Sequence, residues 1–130
     1  MEQPKYLIDT NVVIDYLGNK LPASGMVFMN TLMDSIPNIS VVTKIEVLGF
    51  QVPEEHQQLL SNFINDAIVL DLTYQVVNIC IDIRKKYKTK LPDAIIAATA
   101  LAFNMILTTR NTSDFKNIDG LQVIDPYSLK

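Results

Sequence analysis

Apolar residues in this chain follow two spacings. Short, mainly apolar runs, Tyr6 to Asp9, Ile39 to Val42, Ala67 to Leu72, Met105 to Thr108 and Leu121 to Ile124, have the length and β-branched content of strands. Between them apolar residues recur every three or four positions, the spacing of helices with one buried face. Val12 to Leu17 reads as a helix opened by Thr10 or Asn11 and stopped by Gly18. A second follows Pro22, turning Val27, Met29, Leu32 and Met33 inward, and breaks between Ser35 and Asn38 around Pro37. Thr43 is expected to open a helix through Phe50, and Pro53 one that runs through Leu59, Leu60, Phe63 and Ile64. Thr73 suits the cap of a helix reaching about Tyr87, and Pro92 the first position of the next, where its missing N–H costs nothing. That helix is apolar nearly all round from Ile95 to Ala102, as packing against a sheet requires, and Asn111 to Phe115 reads as a short turn or helix.

Strands separated by helices need crossover connections, so the pattern predicts an α/β fold with a mainly parallel central sheet. All strands of such a sheet end on one edge, and residues just beyond them meet in space however far apart they are in sequence. Four acids stand at or near strand-to-helix junctions: Asp9, Glu46, Asp93 and Asp114. Converging carboxylates repel one another unless a cation lies among them.

Each acid also has a purely structural explanation. Asp9 suits the cap of the first helix. Thr43 with Glu46 fits a capping box, and Asn111 with Asp114 repeats its spacing. Asp93, directly after a proline, suits the first turn of a helix, where the dipole favours an acid. Asp71 is a control: it lies in an alternating run that an outward-facing edge-strand position explains. Asp15, Asp34, Asp66, Asp82 and Asp119 read as solvent-face or turn residues, with Asp82 and Lys86 as an i, i+4 pair.

Composition narrows the chemistry. At 130 residues the chain is long enough for one domain spanning its length, and 48% apolar with 19% charged residues excludes a disordered or fibrous class. No apolar run approaches the length of a membrane span. The first strand-like segment begins around Lys5 and Tyr6, leaving no room for a signal peptide, so a cytoplasmic location is expected. The single cysteine, Cys80, sits in an apolar run as a core residue would, and the single histidine, His56, lies on a polar stretch. A Cys/His zinc site, a disulfide framework and a histidine-activated nucleophile are therefore poorly supported. Oxygen ligands remain, and they suit a hard cation such as Mg2+ or Mn2+.

A net charge of −3 argues mildly against nucleic-acid binding, but the basic residues are clustered. Arg84, Lys85, Lys86, Lys88 and Lys90 directly precede Asp93. They read either as a helix C-terminus complementing its dipole or as a phosphate-contacting rim beside an acidic site.

The segments YLIDTNVVID, ISVVTKIEVLGF, LPDAIIAATALAFNMILTTRNTSDF and GLQVIDP resemble the PIN-domain ribonucleases, specifically the VapC-like toxins of prokaryotic toxin–antitoxin pairs. DTN near the N-terminus, together with PDAIIAATA and TRNxxDF in the last third, is the specific part. The resemblance implies a three-layer α/β/α fold and carries over Asp9, Glu46, Asp93 and Asp114 as the catalytic and metal-binding acids. Thr10, Asn11 and Asn111 match the supporting polar positions. It implies metal-dependent endonucleolytic cleavage of RNA to 5′-phosphate and 3′-hydroxyl ends; on that reading the basic cluster Arg84, Lys85, Lys86, Lys88 and Lys90, with Arg110, is expected to hold the RNA backbone. It further implies a small antitoxin partner and a homodimer; Met26, Phe28, Met29 and Met33 would serve as an adaptable interface or as core.

Two rival readings keep the acids. One is a non-catalytic PIN-like module that binds a partner protein or RNA. The other is phosphoryl transfer by a response-regulator or haloacid-dehalogenase-like domain; the latter wants an acid two residues after its nucleophile, where this chain has Asn11.

Overall fold

The computed structural model describes residues 4–129. Five short strands form one all-parallel sheet: β1 (Tyr6–Ile8), β2 (Asn38–Ser40), β3 (Ile68–Leu70), β4 (Ile106–Thr108) and β5 (Val123–Ile124), in the order β3-β2-β1-β4-β5. Seven helices connect and cover them: α1 (Thr10–Leu17), α2 (Ala23–Met33), α3 (Val41–Leu48), α4 (Glu54–Asp66), α5 (Tyr74–Lys86), α6 (Leu91–Ala102) and α7 (Thr112–Phe115). This is the expected three-layer α/β/α arrangement. Among the described residues no helix is long and apolar enough to cross a membrane.

The two outer layers follow from the alternation of side chains along each strand. Leu7 and Leu107, paired across β1 and β4, join Val76, Cys80, Ile83 and the alanines of α6 on one side of the sheet. Ile8 and Ile39 join Val12, Val13, Met29, Val47, Leu60 and Ile64 on the other. Cys80 is thus core, as expected. So is Met29, with Met26, Phe28 and Met33 half-buried against the same cluster. Helix α6 buries residues around its whole circumference, from Ala94 to Ala100, which explains a sequence that is apolar but for Thr99.

From β1 the chain winds outward through β2 and β3, then returns to lay β4 against the other side of β1. The order reverses between β1 and β4, so their carboxyl ends flank the crevice where a parallel α/β sheet receives ligands. Asp9 directly follows β1, and residues 109–111 follow β4.

Several local expectations are corrected. The apolar run Ile39 to Val42 is split: the strand ends at Ser40 and Val41 already begins α3. Ser40 is the cap, its hydroxyl accepting the Thr43 N–H at 3.1 Å, so Thr43 is a buried third-position residue and the Thr43–Glu46 capping box does not form. A side-chain cap outweighed the strand preference of two valines. The cap of α1 is Asp9, not Thr10 or Asn11, and Asn111 precedes α7 without a side-chain capping bond. Thr73 does cap α5, accepting the Val76 N–H at 3.2 Å. Asp71 is exposed at the end of edge strand β3, as its control role required.

Asp82 and Lys86 make no ion pair; among the described residues that contact occurs only between Arg110 and Asp15, at 3.6 Å. Two exposed long side chains lose about as much entropy as a screened pair returns. Asp15 is correspondingly half-buried and partnered, not a plain solvent-face residue.

Thr108 is fully buried on β4 and its Oγ1 has no hydrogen-bond partner. Valine has nearly the same shape without the desolvated hydroxyl, so Thr108→Val should stabilise the fold by about 1 kcal/mol, read as a higher urea midpoint at unchanged slope. A lower midpoint would mean that an ordered water satisfies the hydroxyl.

Candidate active site

Asp9 ends β1 and caps α1, and at 5% exposure it is the most enclosed of the acids. Its Oδ1 accepts the Thr10 N–H at 2.8 Å, and its Oδ2 accepts the Thr109 hydroxyl at 2.8 Å. Thr109 Oγ1 in turn accepts the Asn111 N–H at 3.1 Å. The capping and site readings of Asp9 are therefore both true of one side chain: one oxygen closes the helix, and the other is gripped from β4.

Glu46 is exposed on α3, but its orientation is set from below. Thr10 Oγ1 donates to Glu46 Oε1 at 2.5 Å and lies 3.1 Å from Thr43 Oγ1, which lies 3.5 Å from Ser40 Oγ. Residues from the ends of β1 and β2 thus form a hydroxyl chain ending on this carboxylate. Asp93 lies half-buried in the first turn of α6, and Asp114 is exposed on α7.

Electrostatics tie the four together. Burial pushes the Asp9 carboxyl above its ordinary range; hydrogen bonds from Thr109 and Thr10 oppose this, and the Glu46 charge adds to it. Asp93 is raised by burial and then by the charges of Asp9, Asp114 and Glu46, with Lys90 opposing. Acids from α3, α6, α7 and the end of β1 therefore share one field, although Asp93 follows helix α5 and not a strand, and Glu46 lies in the second turn of α3. Among the described residues no group of three or more acidic, histidine or cysteine side chains is arranged to hold a metal ion. An oxygen-only donor set of this kind, mutually repelling and open to water, suits a hard ion such as Mg2+, which keeps several waters and needs only one or two carboxylates.

A cleft of about 660 Å³ opens over Glu46, Asp93 and Asp114. Lys86, Lys88 and Lys90 form one of its walls, and Asn111, Ser113 and Asn117 line it as well. The Tyr87 hydroxyl accepts the Asp119 N–H at 3.1 Å, pinning the lysine-bearing loop to the segment after α7. The expected basic rim is thereby divided. Three of its lysines face the cleft, while Lys85 is exposed outside it. Arg84 Nη1 donates to the Thr89 carbonyl at 2.6 Å, bracing the loop, and Arg110 turns to Asp15. Asn11 is half-buried in the first turn of α1.

Sequence reasoning missed Ser40, Thr43 and Thr109. Thr109 had a legible signal, since it opens the TRNxxDF segment already singled out; Thr43 was assigned instead to a cap it does not make.

The family model of the PIN domain matches residues 6–121. The chain belongs to the PIN-domain family. This PIN domain is 25% identical to the Ribonuclease VapC2 of Methanocaldococcus jannaschii, over 96% of each chain. It is 29% identical to the tRNA(fMet)-specific endonuclease VapC of Shigella flexneri, over 93% of this chain and 97% of that one. A solved toxin-antitoxin complex from Klebsiella pneumoniae contains a chain 30% identical to it, with a TM-score of 0.73 over 96% of this PIN domain and 100% of that chain. The span of the family model includes both the DTN segment and the strand-β4 segment on which the acid site is built.

Proposed function

We propose that this PIN domain is a metal-dependent endoribonuclease, the toxin of a toxin–antitoxin pair. The observation that carries the reading is Asp93: a half-buried carboxylate that lines a lysine-walled cleft and lies in the field of Glu46, Asp114 and Asp9, the last held by two hydrogen bonds at the reversal point of the sheet. Relatives named as ribonuclease and endonuclease support the same reaction class.

In this reading Asp9, Glu46, Asp93 and Asp114 would hold Mg2+ or Mn2+, drawn together by the ion. The ion's contribution when bound is to lower the pKa of water and to stabilise charge on a phosphate undergoing in-line displacement. The protein's own groups do the rest. Thr109 and the Thr10 amide keep Asp9 from rotating, and the Thr10 hydroxyl aims Glu46. Lys86, Lys88 and Lys90 draw the RNA backbone into the cleft. A single-stranded or looped RNA fits best, because a cleft must reach a splayed phosphate. By the same kinship we propose a small antitoxin as partner, and a homodimer.

Purified protein incubated with total cellular RNA in Mg2+, Mn2+ or EDTA, beside Asp9→Asn, tests the reading. Discrete fragments with 5′-phosphate ends are expected, present only with metal and absent in the variant. Identical behaviour of the two proteins in every condition would sink the nuclease reading in favour of a non-catalytic binding module.

A further inference from the structure

After β5 the chain turns back over the layer formed by α1 and α2. The Tyr127 N–H and the Ser128 hydroxyl both donate to the Asp125 carboxylate, at 2.8 and 2.9 Å. The Pro126 carbonyl lies so close to Gly25 of α2 that a Cβ there would stand 2.0 Å from its oxygen. The Leu129 carbonyl accepts the Ser24 hydroxyl at 2.6 Å. The last turns of the described chain are thus fastened to α2 at two consecutive residues.

From this strap Tyr127 reaches inward. Its hydroxyl donates to Asp15 of α1, and its ring packs against the core beneath the Arg110 guanidinium, 5.4 Å from the ring centroid. Arg110 Nη1 also lies 3.6 Å from the same Asp15 oxygen. The side chain expected to hold RNA, though half exposed, is therefore engaged by two protein groups from different elements. Its chain neighbours are the residues that touch the acid site. Thr109 donates its hydroxyl to Asp9, and its amide to the Ile124 carbonyl at 3.0 Å; Asn111 lines the cleft.

We infer that residues 125–129 are part of the active-site scaffold, and that Arg110 is a positioning residue. Clamped by Asp15 and Tyr127, it holds the loop that sets Thr109 against Asp9 and Asn111 at the cleft wall. An unanchored loop would keep its sequence but lose its register, and misplacement by about 1 Å can cost on the order of a hundredfold in rate. The effect on rate rests on the nuclease reading; the effect on the loop does not.

The two roles for Arg110 predict opposite signs at Asp15. If Arg110 contacts RNA, Asp15→Asn releases a cation and tightens RNA binding. If Arg110 positions the loop, Asp15→Asn and Tyr127→Phe both behave like Arg110→Ala. Amide hydrogen exchange on the metal-free protein reads the loop directly. Exchange at Thr109 and Asn111 should accelerate at least about tenfold in all three variants, with the β4 amides of Ile106 and Leu107 unchanged as internal controls. Unchanged exchange at both loop amides would overturn the inference, whether or not the protein cleaves RNA. In the cleavage assay the same variants should lose about ten- to a hundredfold in kcat with KM and salt dependence unaltered. A raised KM for Arg110→Ala with a salt slope shallower by about 0.7, the signature of one lost single-strand phosphate contact, would return Arg110 to the RNA and overturn it as well. Should wild type fail to cleave any RNA, the nuclease reading falls and the exchange result alone decides the strap.

Discussion

Asp93→Asn is expected to reduce RNA cleavage by more than about a hundredfold, the scale on which loss of one electrostatic partner of a reacting phosphate acts, while raising the melting temperature of the metal-free protein at pH 7. The second half follows from the direction of its pKa. Asp93 is raised above the ordinary carboxylate value by burial and by three like charges, so its ionised form is disfavoured in the folded state. Folding then binds a proton more tightly than the unfolded chain does, and stability falls as pH rises from the unfolded pKa through the folded one. The penalty is complete only above the folded pKa and vanishes below about pH 4, where both states are protonated. Asparagine removes it. The helix dipole opposes this by roughly 0.3–1 kcal/mol, since Asp93 lies in the first turn of α6, but the net direction is set by burial first and by its three acidic neighbours second. Divalent metal should reverse the order: at a hundred times its Kd, an ion bound only to folded wild type adds about 2.7 kcal/mol, and little or none to the variant. Thermal melts at pH 4 and 7, with EDTA or Mg2+, check each statement. A variant that melts lower than wild type in EDTA at pH 7 would make Asp93 a helix-capping residue.

Gly25→Ala should destabilise the fold by about 1–3 kcal/mol, although in an ordinary helix the same exchange stabilises by up to about 1 kcal/mol. The methyl would meet the Pro126 carbonyl oxygen at 2.0 Å and its carbon at 3.0 Å. Both are backbone atoms, so no rotamer change relieves the clash; either α2 or the strap must move. Urea titration gives the sign. Loss of stability at constant slope supports the close approach, and a gain would mean that the strap leaves α2 at little cost.

The order of elements was legible along the chain because strand and helix impose different spacings on apolar residues, and every one of the five strand-like runs overlaps a strand. Their ends were less legible. Ile39 to Val42 looked like one strand, since β-branched residues suit either state in the interior, and the boundary at Ser40 was decided by a hydroxyl that caps a helix. Asp9, Glu46 and Asp114 follow strand ends, which a parallel sheet brings to one edge by a rule that needs no coordinates; Asp93 follows helix α5, and only the motif around it singled it out.

What supports those acids was decided only in three dimensions. Thr109 meets Asp9 across a hundred residues, and Thr10 meets Glu46 across thirty-six; no local spacing encodes either distance. Arg110 illustrates the limit. A cation beside an acidic motif reads as a phosphate contact until the fold brings Asp15 from α1 and Tyr127 from the end of the chain to the same place. Gly25 is equally mute in sequence, a weak helix former whose purpose appears only when the Pro126 carbonyl is seen against it. Periodicity and junction chemistry are local properties and survive in one dimension. Side-chain partnership depends on how separate elements pack, and the chain determines that only by folding.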